Sequence, residues 1–326
     1  MNRALLLQRV WRHSPKQLAT SQQHTRRPAS LTQSTSRFLP PQLLILLAMV
    51  SLQLGAAFAK SLFPVVGSTG TVFLRLAFAA IVLMLMWRPR LRGYARKDYI
   101  AVVLFGVTMA GLNGFFYAAL ARLPLGIVVT LEFVGPLSIA LFSSRRKIDV
   151  FWALFAVAGI ILLAPINGAT VDPLGVGLAL IAGAFWAAYI LLNVRVGQAF
   201  PGGTGLALGM SIGALATLPF GVTSLPIIWH DPSVLLIGLG VAVLSSVIPF
   251  SLEMEALRRM SARVFGVLMS MDPVMAALIG FLVLGETVGL RALIAMALIV
   301  IASSGVSFGG KSSNHPVQHD SHIDQL

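Results

Sequence analysis

The stretch LEFVGPLSIAL at residues 131–141 is almost wholly apolar, yet it contains one carboxylate, Glu132, and the helix-weakening pair Gly135-Pro136. Proline has no backbone N–H, so Pro136 leaves the carbonyl of Glu132 without the hydrogen bond that it would accept in an unbroken helix. The stretch therefore offers an acid beside a free backbone acceptor. What this combination means depends on whether water or lipid surrounds the chain.

Composition indicates that the stretch lies in a membrane. Of the 326 residues, 57% are hydrophobic and 11% are charged, whereas a soluble domain has about 25% charged residues. Ten apolar segments are long enough, as helices, to cross roughly 30 Å of hydrocarbon. We therefore expect an all-α membrane protein with ten transmembrane helices, at residues 42–62, 70–87, 99–120, 124–143, 149–166, 174–193, 204–222, 233–256, 264–284 and 287–307.

The basic residues indicate how these helices are oriented. The chain has 24 Lys and Arg against 11 Asp and Glu, a net charge of +13. If ten helices alternate in direction, 20 of the 24 basic residues fall on one side. Cytoplasmic loops carry the excess of Lys and Arg, so we expect both termini in the cytoplasm. Because the charges follow the loops, nucleic acid is not an expected partner.

Both ends of the chain are predicted to be disordered tails, the basic residues 1–40 and the residues 309–326. The first tail has no acid and many Arg, Ser and Thr, which is also typical of an organelle transit peptide. A start codon placed too early would give the same picture. Cysteine is absent, which excludes disulfides and thiolate ligands, and we expect neither a metal site nor a cofactor.

The ten segments divide into two similar halves. Sliding the chain by 137 positions places Pro136 on Pro273 and Arg122 on Arg259. Because five helices is an odd number, the second half must be inserted upside down. In such inverted repeats the binding site lies near the middle of the membrane, between the halves, and broken helices line it. The expected repeats are residues 41–168 and 172–308.

Glu132 should lie well inside the membrane and face its interior. It is eight residues into its segment, about 12 Å along a helix. An ionised carboxylate facing lipid is costly, so such an acid faces a polar cavity or takes up a proton. Asp272, directly before Pro273, puts a second acid at a matching break, and Glu253 lies one turn after Pro249.

Further polar and aromatic positions complete the predicted site. Arg75 can bind a substrate carboxylate or pair with an acid, and Lys60, near a helix end, can extend its ammonium to the membrane surface. Trp186 and Tyr189 can contact substrate or form an aromatic packing surface. The predicted substrate-binding or proton-coupling residues are Glu132, Asp272, Glu253, Arg75, Asn113, Tyr117, Gln53, Trp186 and Tyr189, with helix breaks at Gly135, Pro136, Pro249 and Pro273.

Several stretches carry a family resemblance, namely GAAFAKSLFPVVG at 55–67, LRLAF at 74–78, PLGIVVTLEFVGPLSIALFSSRR at 124–146, PFSLEMEALRR at 249–259, FGVLMSMDP at 265–273 and LGET at 284–287. They resemble the drug/metabolite transporter superfamily of the EamA type and, within it, the exporters of threonine and homoserine. The resemblance implies a secondary transporter of the bacterial inner membrane that exports small neutral amino acids and is coupled to the proton gradient. Its partners would be the amino acid, the lipid bilayer and protons, and a homodimer stays open.

Other functions fit the sequence less well. An intramembrane enzyme is not expected, because the chain has neither an H-E-x-x-H metal pair nor a C-x-x-C motif. A carrier of phosphate esters would need several cations in its cavity, and few basic residues lie within the segments. An exporter of aromatic or xenobiotic compounds stays the alternative, since Phe, Met and Trp side chains could line a cavity for either substrate.

Cysteine labelling tests the predicted orientation, because the sequence has no cysteine of its own. Cysteines introduced near Ser68 and near Asp231 should react with a membrane-impermeant maleimide added to intact cells, since both positions fall on the side opposite the termini. Arg146→Cys should react only after the cells are opened. Labelling of this third variant in intact cells would contradict the expected orientation.

Overall fold

The structure, a computed structural model, describes residues 39–89, 92–143, 147–163, 172–257, 259–260 and 262–309. The predicted tails fall almost wholly outside these residues. Every regular element within them is helical, and no strand occurs there. The helices, numbered along the chain, are α1 (Pro41–Ser61), α2 (Phe63–Trp87), α3 (Arg96–Leu120), α4 (Leu125–Glu132), α5 (Val134–Ser143), α6 (Lys147–Leu163), α7 (Pro173–Ala199), α8 (Thr204–Gly221), α9 (Leu225–His230), α10 (Pro232–Ala242), α11 (Ile248–Leu257), α12 (Ala262–Met269), α13 (Asp272–Leu284) and α14 (Leu290–Gly309).

Several helices have the length and composition of membrane spans. Among the described residues, six helical runs are long and apolar enough to cross a bilayer, namely Pro41–Ser61, Phe63–Trp87, Arg96–Leu120, Pro173–Ala199, Thr204–Ser224 and Pro232–Glu253. Shorter apolar runs are Leu125–Ile139, Asp272–Leu284 and Leu290–Ala302. The expectation of an all-helical membrane protein is confirmed, whereas the count of ten spans and their inverted repeat stay predictions.

The second span starts earlier than predicted. Its helix, α2, begins at Phe63 rather than at residue 70, and it passes through Gly67 at φ 71° and ψ 171°. Glycine adopts a positive φ without the strain that a side chain would add. The helix therefore kinks at Gly67 and continues, and Ser68 lies at this kink and not in a loop.

The break in the stretch 131–141 falls at Phe133, between α4 and α5. It precedes Pro136 because the carbonyl that loses its donor belongs to the residue four positions earlier, Glu132. The second predicted half breaks at the matching place: both bounds of α12, Ala262–Met269, lie 137 residues after those of α4.

Two other predicted breaks take different forms. Before Pro249 the chain forms a π-helical segment, Val243–Val247, in which the N–H of Ile248 donates to the carbonyl of Val243. Such π-bulges accommodate an extra residue and occur frequently at functional sites. Pro273 lies in the first turn of α13, where a missing N–H costs nothing. Pro249 therefore disturbs a helix that goes on as α11, and Pro273 starts one.

Helices of the two predicted halves pack extensively on one another. The largest contacts join α3 with α7, α2 with α8, and α6 with α14, while α1 packs on α11 and α13. The two halves are therefore interleaved, and a space between these helices is bounded by residues from both.

Two glycines allow α5 and α7 to approach closely. A Cβ at Gly183 would lie 2.7 Å from the carbonyl oxygen of Glu132, and one at Gly135 would overlap the carbonyl group of Gly183. Gly135, predicted as part of a helix break, thus lies within α5 and serves a close approach. The carbonyl that Pro136 leaves free lies against α7.

We predict that this crossing tolerates no methyl group. Gly183→Ala should lower the free energy of unfolding by about 1–3 kcal/mol, because the new Cβ forces backbone apart. Gly177→Ala, on the same helix, has nothing within 4 Å of its Cβ position and should gain about 0.5–1 kcal/mol from helix propensity. Thermal unfolding of the purified variants in detergent measures both. Equal stability of the two variants would show that the crossing is loose.

Candidate functional site

A cavity of about 480 Å³ lies between the helices of both predicted halves, a size typical of small-molecule sites. Ten predicted residues line it: Gln53, Arg75, Asn113, Glu132, Pro136, Trp186, Tyr189, Pro249, Glu253 and Asp272. Tyr117, Gly135 and Pro273 are not among its described lining residues. The structure therefore brings most of the predicted site into one space, and their roles in binding stay a prediction.

Arg75, which is 7% exposed, is held from three directions. Its Nε donates to the Ser246 hydroxyl at 3.3 Å, one terminal nitrogen to the Tyr117 hydroxyl at 3.2 Å and the other to the Ser245 carbonyl at 2.9 Å. The Tyr117 ring centroid lies 5.5 Å from the guanidinium carbon. Tyr117 is fully buried and accepts a hydrogen bond from Arg75, and its predicted role toward the substrate stays a prediction.

Asp272 is hydrogen-bonded across the two predicted halves. The side-chain amide of Gln53 on α1 donates to Asp272 Oδ1 at 2.9 Å, and both side chains are 2% exposed. A charge-assisted bond of this kind holds the carboxylate in one orientation. The expectation that acids from both halves meet in one cavity is thus met geometrically for Asp272 and Glu132.

The charges in the cavity are unequal. Glu132, Glu253 and Asp272 are its carboxylates among the described residues, and Arg75 is its cation. A carboxylate away from water is stabilised by a cation, a donor or a proton. One pair of opposite charges fits a zwitterion, and the additional carboxylates are able to carry protons.

Aromatic side chains form part of the wall. Trp186 meets Phe133 edge-on with ring centroids 5.3 Å apart, and Tyr189 stacks on Phe105 at 5.3 Å. Both line the cavity as well, so packing and substrate contact, left open by the sequence, are compatible. Asn113 anchors its amide on the Met109 carbonyl of its own helix at 2.8 Å.

Some residues of the site were missed from the sequence. Ser245 and Asn193 line the cavity, and Ser246 holds Arg75. A usable signal existed for Ser245, because Pro249 frees its carbonyl by the same rule that applies to Pro136 and Glu132. Asn193 was placed at the end of its segment, but α7 continues to Ala199.

The helix α8 contains a sequence that resembles a catalytic motif. Residues 209–213 read GMSIG, which matches the G-x-S-x-G letters of a nucleophile elbow. Such an elbow requires a sharp strand-to-helix turn, whereas Ser211 lies within α8 and donates to the Ala207 carbonyl at 2.8 Å. The motif is therefore a helical segment without catalytic geometry.

Glu286 ties three helices together at one end of the bundle, which we call the Glu286 end. One carboxylate oxygen binds the Lys60 ammonium near the end of α1 at 2.5 Å, and the other accepts the N–H of Leu125 at the start of α4 at 2.7 Å. This N–H belongs to the first turn and has no partner within the helix. Lys60, expected to extend toward the membrane surface, is thus paired with an acid.

A second ion pair joins helix ends close to the start of α4. Arg122 donates to Asp172 Oδ2 at 2.8 Å, and Asp172 Oδ1 accepts the N–H of Leu174 in the first turn of α7 at 2.9 Å. The hydrogen bond from Arg122 is the main cause that holds the pKa of Asp172 below its usual value. The ionised Asp172 therefore links the first turn of α7 to Arg122.

The cavity extends away from the Glu286 end. Its wall on α7 runs from Trp186 to Val194, in the second half of a helix that begins beside Arg122. The helix α13 ends just before Glu286, so α12, which precedes it, begins at the opposite end of the bundle. The wall on α12 includes Phe265 and Met269. On these two helices the lining residues therefore lie away from the Glu286 end.

Comparisons with known proteins identify relatives of this chain. The profile of the EamA-like transporter family matches residues 173–308. The threonine/homoserine exporter RhtA of Salmonella typhimurium (strain SL1344) is 44% identical over 277 residues, which cover 83% of this chain and 93% of the relative. The RhtA of Escherichia coli (strain K12) is 44% identical over 268 residues, or 81% of this chain and 90% of the relative.

A solved crystal structure has a related fold. It matches 82% of this chain and 96% of its own with a TM-score of 0.57, and its sequence is 20% identical. At this level of identity the similarity concerns the fold alone.

Proposed function

Since the chain belongs to the EamA-like transporter family, we propose that it is a secondary transporter exporting threonine, homoserine and similar small neutral amino acids across a bacterial inner membrane. The observation that carries this proposal is the 44% identity to exporters of that name over 93% of their length. The charges of the cavity support the same class of substrate.

The zwitterion would be held at its two ends. Arg75 can bind the carboxylate through two parallel hydrogen bonds, and the ammonium would face Asp272 or Glu132. Asn113 and the aromatic wall leave a polar and an apolar surface for a short side chain. Since Gly183 covers the Glu132 carbonyl, side chains rather than that carbonyl would accept from a substrate hydroxyl.

We also propose that the chain forms ten spans as two inverted repeats, 41–168 and 172–308, with both termini in the cytoplasm. The matching bounds of α4 and α12 and the cavity between the halves support this arrangement. In this orientation the Glu286 end faces outward and the cavity is directed toward the cytoplasm. An exporter takes up its substrate on that side.

Efflux from cells that lack their own amino-acid exporters tests the substrate. The cells should gain resistance to, and efflux of, threonine and homoserine, and less of phenylalanine or a cationic dye. Arg75→Gln should remove amino-acid efflux because the carboxylate loses its cation. The Phe, Trp and Met side chains of the wall favour the alternative, an exporter of aromatic or xenobiotic compounds, which efflux of the dye without any amino acid would establish.

For the energy source we propose proton entry, with Glu132 the leading proton carrier and Glu253 the second. In proteoliposomes, Glu132→Gln should abolish export driven by a pH gradient while exchange of labelled threonine continues, because the amide fills the same space and cannot titrate. Asp231→Asn, an exposed acid outside the cavity, should change neither activity. If gradient-driven export persists in Gln variants of both glutamates, neither carries the proton.

A further inference from the structure

Two backbone carbonyls that precede Pro249 accept hydrogen bonds from side chains of other helices. In an α-helix the N–H of residue 249 would bind the carbonyl of Ser245, and in the π-helical pattern that of Leu244. Proline offers no N–H to either. Side chains from other helices take both carbonyls: the Ser51 hydroxyl donates to Leu244 at 2.6 Å, and Arg75 donates to Ser245 at 2.9 Å.

The helix α1 approaches the Leu244 carbonyl closely because it carries a glycine beside Ser245. A Cβ at Gly55 would lie 2.7 Å from the Cβ and 2.8 Å from the backbone nitrogen of Ser245. Ser51 and Gly55 are one helical turn apart and face the same way. The helix α1 therefore packs tightly on the turn before Pro249, and Arg75 binds a carbonyl of the same turn.

The contacts of Arg75 leave a defined part of its guanidinium for the cavity. A guanidinium has five N–H groups, and the bonds to Ser246, Tyr117 and Ser245 use one on each nitrogen. Within the described contacts, one N–H remains on each terminal nitrogen. One N–H from each terminal nitrogen can donate to one of the two oxygens of a carboxylate.

We propose that Pro249 is a positioning residue, which fixes Arg75 for the carboxylate of the substrate by leaving the Ser245 carbonyl free to accept from it. Tyr117 and Ser246 complete this support from the other two sides. The inference rests on the proposed function, because it assigns Arg75 to a carboxylate of the exported amino acid. It predicts that a change at Pro249 weakens recognition of that one group.

The principal test is Pro249→Ala in the full-length protein, assayed by threonine export in proteoliposomes. The new N–H competes for the Ser245 carbonyl, so the half-saturating threonine concentration should rise about tenfold, the effect of weakening one hydrogen bond to a charged group, while the maximal rate changes less. The matched control is Pro219→Ala, the same substitution inside α8 at an exposed position outside the cavity, which should leave both values unchanged.

Threoninamide, which lacks the carboxylate, separates positioning from a general structural role. Pro249→Ala should reduce the preference for threonine over threoninamide, and it should have little further effect in an Arg75→Lys background. If Pro249 had only a general structural role, Pro249→Ala would weaken the recognition of threonine and of threoninamide equally. Its effect would then add to that of Arg75→Lys.

Pro249→Val restores the same backbone N–H and should shift threonine recognition in the same direction, which decides the matter if Pro249→Ala does not reach the membrane. Wild-type affinity and selectivity in Pro249→Ala, or in Pro249→Val where only that variant is obtained, would overturn the inference and leave the proposed function intact. A wild-type protein that exports no amino acid would overturn both.

Discussion

A backbone carbonyl inside a bilayer must find a donor within the protein, because lipid offers none. Prolines in the spans of this chain turn that requirement into contacts between helices. Near Pro249 the carbonyls of Leu244 and Ser245 accept from Ser51 and Arg75, and near Pro136 the carbonyl of Glu132 packs against Gly183. In each case a helix of one predicted half satisfies or covers a carbonyl of the other.

The same contacts account for the arrangement of charge. Arg75 lies beside a proline-freed carbonyl and Asp272 beside a helix break, where Gln53 holds it. Both charges are thus fixed by neutral partners rather than by each other. A cation and an anion that are held apart within one cavity can each bind the oppositely charged group of a ligand. In a direct ion pair the two would neutralise each other.

The sequence predicted the parts of this site that depend on local chemistry. The missing N–H of Pro136 predicted a break near Glu132. An ionised acid that faces lipid is costly, and this cost predicted that Glu132 faces a cavity. The position of Tyr117 behind Arg75 could not be predicted, because the rotation of a helix about its axis depends on its neighbours. The close approach of Gly183 to the Glu132 carbonyl could not be predicted either, because a glycine in a sequence does not indicate which helix packs against it.

Glu286 anchors α4 at the end opposite Glu132. Its carboxylate accepts the N–H of Leu125 in the first turn of α4 while binding Lys60 of α1, and α4 ends seven residues later at Glu132 on the cavity wall. A helix of eight residues is about 12 Å long. Its first turn therefore answers to an ion pair at the edge of the bundle, while its last residue belongs to the wall of the cavity.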